Sequence, residues 1–428
     1  MAILFALPRP KVFLIIALSL LSFTLLLHPA SPASYSRIYS YVPSKSSGYP
    51  PNLPDRIKGG FVNDTLGLGA IPDAGSWEDR RKANATFVVL ARNSDLWDII
   101  PSIQQMEDRF NWWAGYDWVF LNDQEFSEEF KKYTQQIVST TAHYGLISPE
   151  EWNQPDWIDE NKAAAARDDM FKHVSHSRCI PSSIHTLLLG TILMIFSISC
   201  RIERYLWRLR PLPKQYNSGF FYRHPLMMNY RYYWRVEPSV KFYCDIHYDP
   251  FLVLKDENKV YGFTLSLYEF TETIPTLWDA TKEFMELHPE HIVEGNSMGF
   301  LSDDGGKEYN HCHFWSNFEI GDLDFWRGDA YMDYFNFLEA KGGFYYERWG
   351  DAPVHSIGAG LFAKKEQVHF FSDIGYYHGP YSHCPTGEAH SAGRCSCKEE
   401  DNFDEHWFSC TKKYKAQFPN EKFFGSEA

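Results

Sequence analysis

The run Ala85-Thr86-Phe87-Val88-Val89-Leu90-Ala91-Arg92 is apolar up to a charged stop, followed by a helical pattern from Leu96 to Phe110 and a second apolar run, Trp118-Val119-Phe120-Leu121. A short apolar run ending in a polar turn reads as a buried strand. Strand, helix, strand in that order predicts an α/β fold with parallel strands, whose ligands sit beyond the carboxyl ends of those strands.

Downstream the same logic holds. Val260 to Leu267 alternates as one strand, Pro275 to His288 and Asp329 to Lys341 read as helices, and Ser302-Asp303-Asp304-Gly305-Gly306 reads as a turn. Upstream, residues 29–82 are rich in Pro, Ser, Gly and Tyr without sustained periodicity, which describes a stem ahead of a folded unit spanning 83–428. Before the stem, Arg9 and Lys11 precede an unbroken apolar run from Val12 to Leu27. A basic flank before such a run and polar sequence after it predict a cytoplasmic tail (1–11), a signal anchor (12–28) and a lumenal remainder. Pro32-Ala33-Ser34 keeps a cleaved signal peptide open as the alternative.

One segment does not fit. Residues 172–215 contain a nearly all-apolar stretch, Ile184 to Cys200, flanked by Arg178 and Arg201. Three readings stand: a buried core helix, a second membrane span, or a stretch absent from the functional protein, translated from an unspliced intron or a mistaken gene model. A second span would return the C-terminal half to the cytosol and cut the α/β domain in two.

The chain has 428 residues, 44% of them apolar and 17% aromatic, so a large core is affordable and global disorder is excluded. Net charge is −14, and no block of basic residues resembles a nucleic-acid-binding arm. Sequons at Asn63-Asp64-Thr65 and Asn84-Ala85-Thr86 agree with a secretory route. So do eight cysteines, with Cys384, Cys395, Cys397 and Cys410 crowded near the C-terminus. The competing reading of that crowd is zinc, given His383, His390 and His406 nearby; disulfides are favoured because Cys-x-Cys is poor spacing for tetrahedral zinc.

The densest chemistry runs from Tyr216 to Pro250, including Tyr232-Tyr233-Trp234-Arg235-Val236-Glu237-Pro238. Aromatics stack on sugars or bases, arginines neutralise phosphate, and an acid among apolar neighbours can hold a hard divalent cation, as a nucleotide-sugar site requires. The bland reading is an aromatic core with Arg235 and Glu237 as a buried ion pair. Glu237 and His378 suit a metal such as Mn²⁺, which accepts both carboxylate and imidazole. Asp322-Leu323-Asp324 looks like a D-x-D metal motif but reads better as a helix start. If sugar configuration is kept, Glu319 and Glu347 are candidate nucleophiles; the plain alternative pairs Glu347 with Arg348 or Arg235.

Taken together, Asn217 to Pro225, Tyr232 to Pro238, Asp303 to Gly306, His313 to Glu319, Glu347 to Ser356 and Gly375-Tyr376-Tyr377-His378 resemble the fungal Golgi α-1,2-mannosyltransferases of glycosyltransferase family 15. The resemblance implies a GT-A fold with a Rossmann-like mixed sheet, GDP-mannose as donor, Mn²⁺, retention at the anomeric carbon, and mannose-terminated N- or O-linked glycans as acceptors. By position it makes Glu237 and His378 the metal ligands and Glu319 the nucleophile. It puts Arg92, Arg235, Glu269 and Asp351 in the donor and sugar pocket. Ser239 stands where the family often has an acid. The family's acceptor-holding Tyr-Arg-His segment, just before Tyr216, has no counterpart in residues 172–215. Two rivals remain: a UDP-sugar transferase, and a mannan-binding lectin-like protein without Mn²⁺.

Overall fold

The computed structural model describes residues 81–178, 213–421 and 423. The predicted tail and anchor, nearly all of the stem, the Asn63 sequon and the apolar Ile184–Cys200 stretch lie outside these residues. Among the described residues no helix is long and apolar enough to cross a membrane.

Four strands, β1 (Ala85–Leu90), β2 (Asp117–Asn122), β3 (Ala142–Leu146) and β4 (Tyr232–Arg235), run parallel, with β1 between β2 and β4. The apolar run at Ala85 is continuous because the sheet has two covered faces, and alternate residues feed two different cores. Val88, Val119, Leu121 and Tyr233 enter one core, while Phe87, Val89, Trp118, Phe120 and Trp234 enter the other. In the second core, Phe87 stacks on Trp118 with ring centroids 4.4 Å apart.

The stretch expected as one strand from Val260 to Leu267 is two. After the short β5 (Lys241–Phe242), β6 (Tyr261–Phe263) stays in the main sheet, whereas β7 (Ser266–Tyr268) leaves it to pair with β8 (Cys312–Phe314). Burial on both sides of the break hides it from periodicity: Thr264 and Leu265 are as buried as the strands they join. Next, β9 (Ile320–Asp322) inserts antiparallel between β4 and β6, and β10 (Val368–Phe370) pairs parallel with β6 at the sheet edge. A separate three-stranded sheet joins β5 to β11 (Tyr376–His378) and β12 (Tyr381–His383). The sheet is therefore mixed, dominated by parallel strands.

The first helix, α1 (Leu96–Met106), buries Leu96, Ile99, Ile103 and Met106 at helical spacing. The predicted continuation to Phe110 exists as wider π-type turns over Glu107–Asn111. There the buried Glu107 carboxylate accepts from Trp118 Nε1 (2.7 Å), Asn111 Nδ2 (2.7 Å) and the Ser139 N–H (3.1 Å). Helices α2 (Leu277–Leu287) and α3 (Asp329–Lys341) lie where predicted. A fourth, α4 (Asp351–Phe362), was not legible: it is buried on every side and so shows no amphipathic stripe.

Six described cysteines pair as Cys244–Cys395, Cys312–Cys410 and Cys384–Cys397. The zinc alternative falls, because the sulfurs of Cys384, Cys395, Cys397 and Cys410 are all spent in these bonds. Asn84 of the second sequon is exposed at the start of β1, its amide donating to Asn229 O at 3.1 Å.

Candidate active site

Arg235 ends β4, level with Val88 of β1, so it emerges at the carboxyl edge of the parallel strands. The Arg235 backbone N–H donates to Glu319 O at 2.9 Å. Because β9 runs antiparallel to β4, the residue that precedes β9 is delivered to the edge that β4 leaves. Glu237 follows β4 in a Glu-Pro-Ser turn in which Ser239 takes a left-handed φ of 65°. The turn is stitched to α1: Ser239 N–H donates to Asp98 O at 2.9 Å, and Ser102 Oγ donates to Val240 O at 2.9 Å.

One guanidinium gathers three acids. Arg235 is paired with Glu237, with Asp351 Oδ2 at 2.5 Å, and lies 3.9 Å from Glu319 Oε1. Asp351 is fixed in turn by Ser316 Oγ, which donates at 2.7 Å. Burial opposes charge in each of these groups, but their attraction wins. Asp351 is pulled down to about 2 because Arg235 and His355 outweigh its desolvation. Glu237 is likewise lowered, burial being outweighed by Arg235 and then His378. Arg235 stays charged, its desolvation overcome by Glu237, Asp351 and Glu319.

Glu319 is wholly buried. Its Oε2 lies 2.9 Å from His355 Nδ1 and accepts from Tyr261 Oη at 3.2 Å. Its Oε1 has no hydrogen-bond partner among the described residues. Glu319 and Arg235 line a narrow cleft together with Val88, Leu90, Leu121, Tyr216, Asn217 and Phe221. The Tyr216 hydroxyl is also buried without a partner there. An acid clamped on one oxygen, with the other free of hydrogen bonds and facing the Arg235 guanidinium, is held in one orientation at the cleft.

His378, at the end of β11, places Nε2 3.5 Å from Glu237 Oε2, and both side chains are partly exposed. Trp315 meets the imidazole edge-on at 4.7 Å. A carboxylate oxygen and an imidazole nitrogen at one spot form a donor set that Mn²⁺ accepts, with room for non-protein ligands. Charge points the same way: three carboxylates around one guanidinium leave a negative surplus that a divalent cation meets. Among the described residues, the tighter clusters elsewhere fit less well. His288, Glu290 and His291 sit at the surface, and the Cys384, His390, Cys397 group is spent on a disulfide.

The other expected residues divide. Arg92 lies two residues past β1 at the same edge as Arg235, its backbone N–H bonded to Asp95 Oδ2 at 2.9 Å. Glu269 follows β7 outside the Arg235 cluster, yet it and Asp351 both act electrostatically on the buried His313. Asp322 caps a short helix by accepting from Asp324 N–H at 2.9 Å and pairs with Arg231 at 3.0 Å. It is a helix start at the opposite end of β9 from Glu319. Glu347 lies outside the Arg235 cluster and is a structural acid, accepting from Thr276 Oγ1 at 2.6 Å and Trp349 Nε1 at 2.7 Å. Sequence reasoning missed His355, Tyr261, Ser316 and the cleft-facing Tyr216. His355 and Ser316 lie inside the motifs quoted above, but no spacing rule says which acid they face.

An acid beside an imidazole, a buried arginine and a clamped carboxylate, all at the carboxyl edge of a mixed sheet, are the parts of a nucleotide-sugar site. The chain belongs to the glycolipid 2-alpha-mannosyltransferase family, which it matches over residues 64–187 and 202–418. It is 49% identical over 348 residues to glycolipid 2-alpha-mannosyltransferase 1 of Candida albicans, covering 80% of this chain and 73% of that one. To alpha-1,2 mannosyltransferase KTR1 of Saccharomyces cerevisiae it is 49% identical over 335 residues, covering 78% of each. Among solved structures it is similar to the mannosyltransferase Ktr4p of S. cerevisiae in complex with GDP (TM-score 0.68, 38% identity, 82% of this chain and 84% of that one). It is also similar to core-mannan synthase A of Aspergillus fumigatus in a Mn/GDP form (TM-score 0.65, 35% identity, 87% and 90%).

Proposed function

We propose that the protein is a GDP-mannose-dependent α-1,2-mannosyltransferase of GT-A type that retains anomeric configuration and extends mannose-terminated N- or O-linked glycans of proteins. The observation that carries this reading is the Glu237–His378 pair beside Arg235 and above a fully buried Glu319. Relatives that carry GDP, one of them with Mn, support it.

In this reading Glu237 and His378 hold Mn²⁺. Bound there, the ion supplies Lewis acidity that stabilises charge on the departing diphosphate. Arg235, kept charged and oriented by Asp351, adds a fixed positive charge at the same place, with Arg92 beside it at the sheet edge. Glu319 presents its open oxygen to the sugar as nucleophile, while His355 and Tyr261 restrain the other oxygen. Glu269 and Asp351 border the sugar pocket.

The chain works in the Golgi lumen, held as a single-pass type II protein by the anchor at 12–28 and spaced from the membrane by the stem. Residues 172–215 include sequence from an unspliced intron or a mistaken gene model; the break in the family match between residues 187 and 202 supports this for the apolar middle of the segment, while the match runs up to 187 and resumes at 202 on either side of it. Transcript sequencing tests that point, since an abundant message encoding the segment intact refutes it.

The test of the activity is a purified lumenal chain, made with and without residues 172–215, given GDP-mannose, Mn²⁺ and a mannose disaccharide. Transfer in an α-1,2 linkage is expected. Turnover with UDP-sugars alone, or glycan binding that persists without turnover and survives Glu237→Gln, overturns it.

A further inference from the structure

An unbroken series of aromatic rings leads away from the proposed metal ligand to the protein surface. His378 meets Trp315 at 4.7 Å, Trp315 meets Tyr381 at 5.7 Å, and Tyr381 meets Phe408 at 6.3 Å. Phe408 then meets Trp407 at 5.4 Å and Phe270 at 5.8 Å. The inner, half-buried end of this series lies at the site; its outer end is open, with Trp407 80% and Phe270 58% exposed. Single exposed aromatics are ordinary on a protein surface and need no explanation. A contiguous row that starts at the proposed metal ligand is different.

The row is also rigidly mounted. The strand that precedes Phe270 is β7, and Tyr268 N–H donates to Phe408 O at 3.2 Å. Leu267 and Ser409 form a bridge, and Cys410 N–H donates to Ser266 O at 3.0 Å. Cys410 is further tied to Cys312 of β8 by a disulfide. On the other flank His383 Nδ1 meets the buried Asp404 carboxylate at 3.1 Å. Rings displayed on a backbone already fixed lose little entropy on contact with a ligand. Two carboxylates flank them in sequence: half-buried Glu269, whose Oε1 accepts from Phe270 N–H at 2.9 Å, and exposed Glu405, paired with Lys412 at 2.8 Å; each keeps a second oxygen able to accept from sugar hydroxyls.

We propose that Trp407, Phe270 and Phe408 form an outer acceptor subsite that stacks on mannose residues of the acceptor glycan behind the one being extended. The proposal rests on the mannosyltransferase reading and goes beyond it by assigning where a long acceptor lies. A flat apolar ring face complements the C–H face of a pyranose, while the row's inner end at His378 sets the path of the chain. The subsite favours acceptors of several sugars over a disaccharide, which ends before the outer rings.

The experiment compares wild type, Trp407→Ala, Phe270→Ala and Trp407→Tyr, each assayed with GDP-mannose and either mannobiose or an α-linked mannopentaose. Trp407→Ala should raise KM for the pentaose about tenfold, the loss of one good aromatic contact, and leave kcat/KM for mannobiose unchanged. Phe270→Ala should act in the same direction, and Trp407→Tyr should restore most of the loss. Equal losses on both acceptors, or no loss on the pentaose, overturn the subsite. Calorimetric binding of mannopentaose to the same variants reads the subsite without catalysis. A protein inert toward GDP-mannose that still loses pentaose affinity on Trp407→Ala therefore refutes the enzyme reading while keeping the subsite. Unchanged affinity refutes the subsite, assigning the exposed rings to another partner.

Discussion

His355 Nδ1 stands 2.9 Å from Glu319 Oε2, and neither side chain touches solvent. The imidazole is itself stacked on Trp326, with ring centroids 4.4 Å apart, so it cannot follow a moving carboxylate. Glu319 thus meets the cleft in one orientation. Glu319→Gln should lower kcat by about 10³-fold while GDP still binds, and Tyr261→Phe, which removes one donor to the same oxygen, by about tenfold. Steady-state kinetics paired with GDP titration calorimetry separates the two effects. Wild-type turnover in Glu319→Gln would remove Glu319 from the chemistry.

In the proposed site, Glu237 is the residue on which ion binding would depend most. Glu237→Gln keeps the shape of the turn that α1 holds, yet removes the charge, and should abolish Mn²⁺-dependent transfer. His378→Ala should raise the Mn²⁺ concentration for half-maximal activity by about 10²-fold, the effect expected from loss of one of the two proposed protein ligands. A Mn²⁺ titration of activity and of manganese paramagnetic resonance checks both. An unchanged ion requirement in both variants would place the metal elsewhere.

The Arg235–Asp351 pair predicts a pH dependence of stability. Asp351 titrates at about 2 in the folded chain, below its ordinary 3.8, so the folded state favours the carboxylate. Its contribution is complete above pH 4 and is lost as pH falls from about 4 to about 2. In urea unfolding, wild type should exceed Asp351→Asn by on the order of 2 kcal/mol at pH 5, and the gap should close toward pH 2. A gap independent of pH would assign the effect to packing.

Cys312–Cys410 closes a loop of 98 residues and fixes the segment that displays Trp407. Replacing both cysteines by serine should cost about 2–5 kcal/mol in denaturant unfolding. It should also weaken use of long acceptors more than short ones. Equal activity on both acceptors in the double variant would uncouple this tether from acceptor choice.

Gly219 lies under the ring of Phe335, where an added Cβ would come within 1.9 Å of Cζ. Phe335 is fully buried and has nowhere to retreat. Gly219→Ala should therefore destabilise by about 1–3 kcal/mol, read by thermal unfolding.

Much of this molecule is legible in its chain. The parallel core of the sheet follows from Ala85–Leu90 and Asp117–Asn122, whose continuous apolar character suits a strand buried on both faces. α2 and α3 followed from their apolar spacing, and the family resemblance from long motifs in order. Asp322 as a helix cap, rather than a metal ligand, was also readable from residue type. The break between β6 and β7 and the helix α4 were not, because total burial erases the periodic contrast on which such readings depend.

What the sequence by itself determined was which segments form the sheet, where the charged residues lie along the chain, and which family the chain joins. Only tertiary structure decided that Arg235 meets Asp351 across 116 residues, that His355 faces Glu319, and that rings from four separate segments line up from His378 to Trp407. Periodicity and motif report on neighbours along the chain. Ion pairs and stacked rings are contacts through space, and here their partners meet only because β9 enters the sheet antiparallel and the C-terminal segment is bonded back onto β7 and β8.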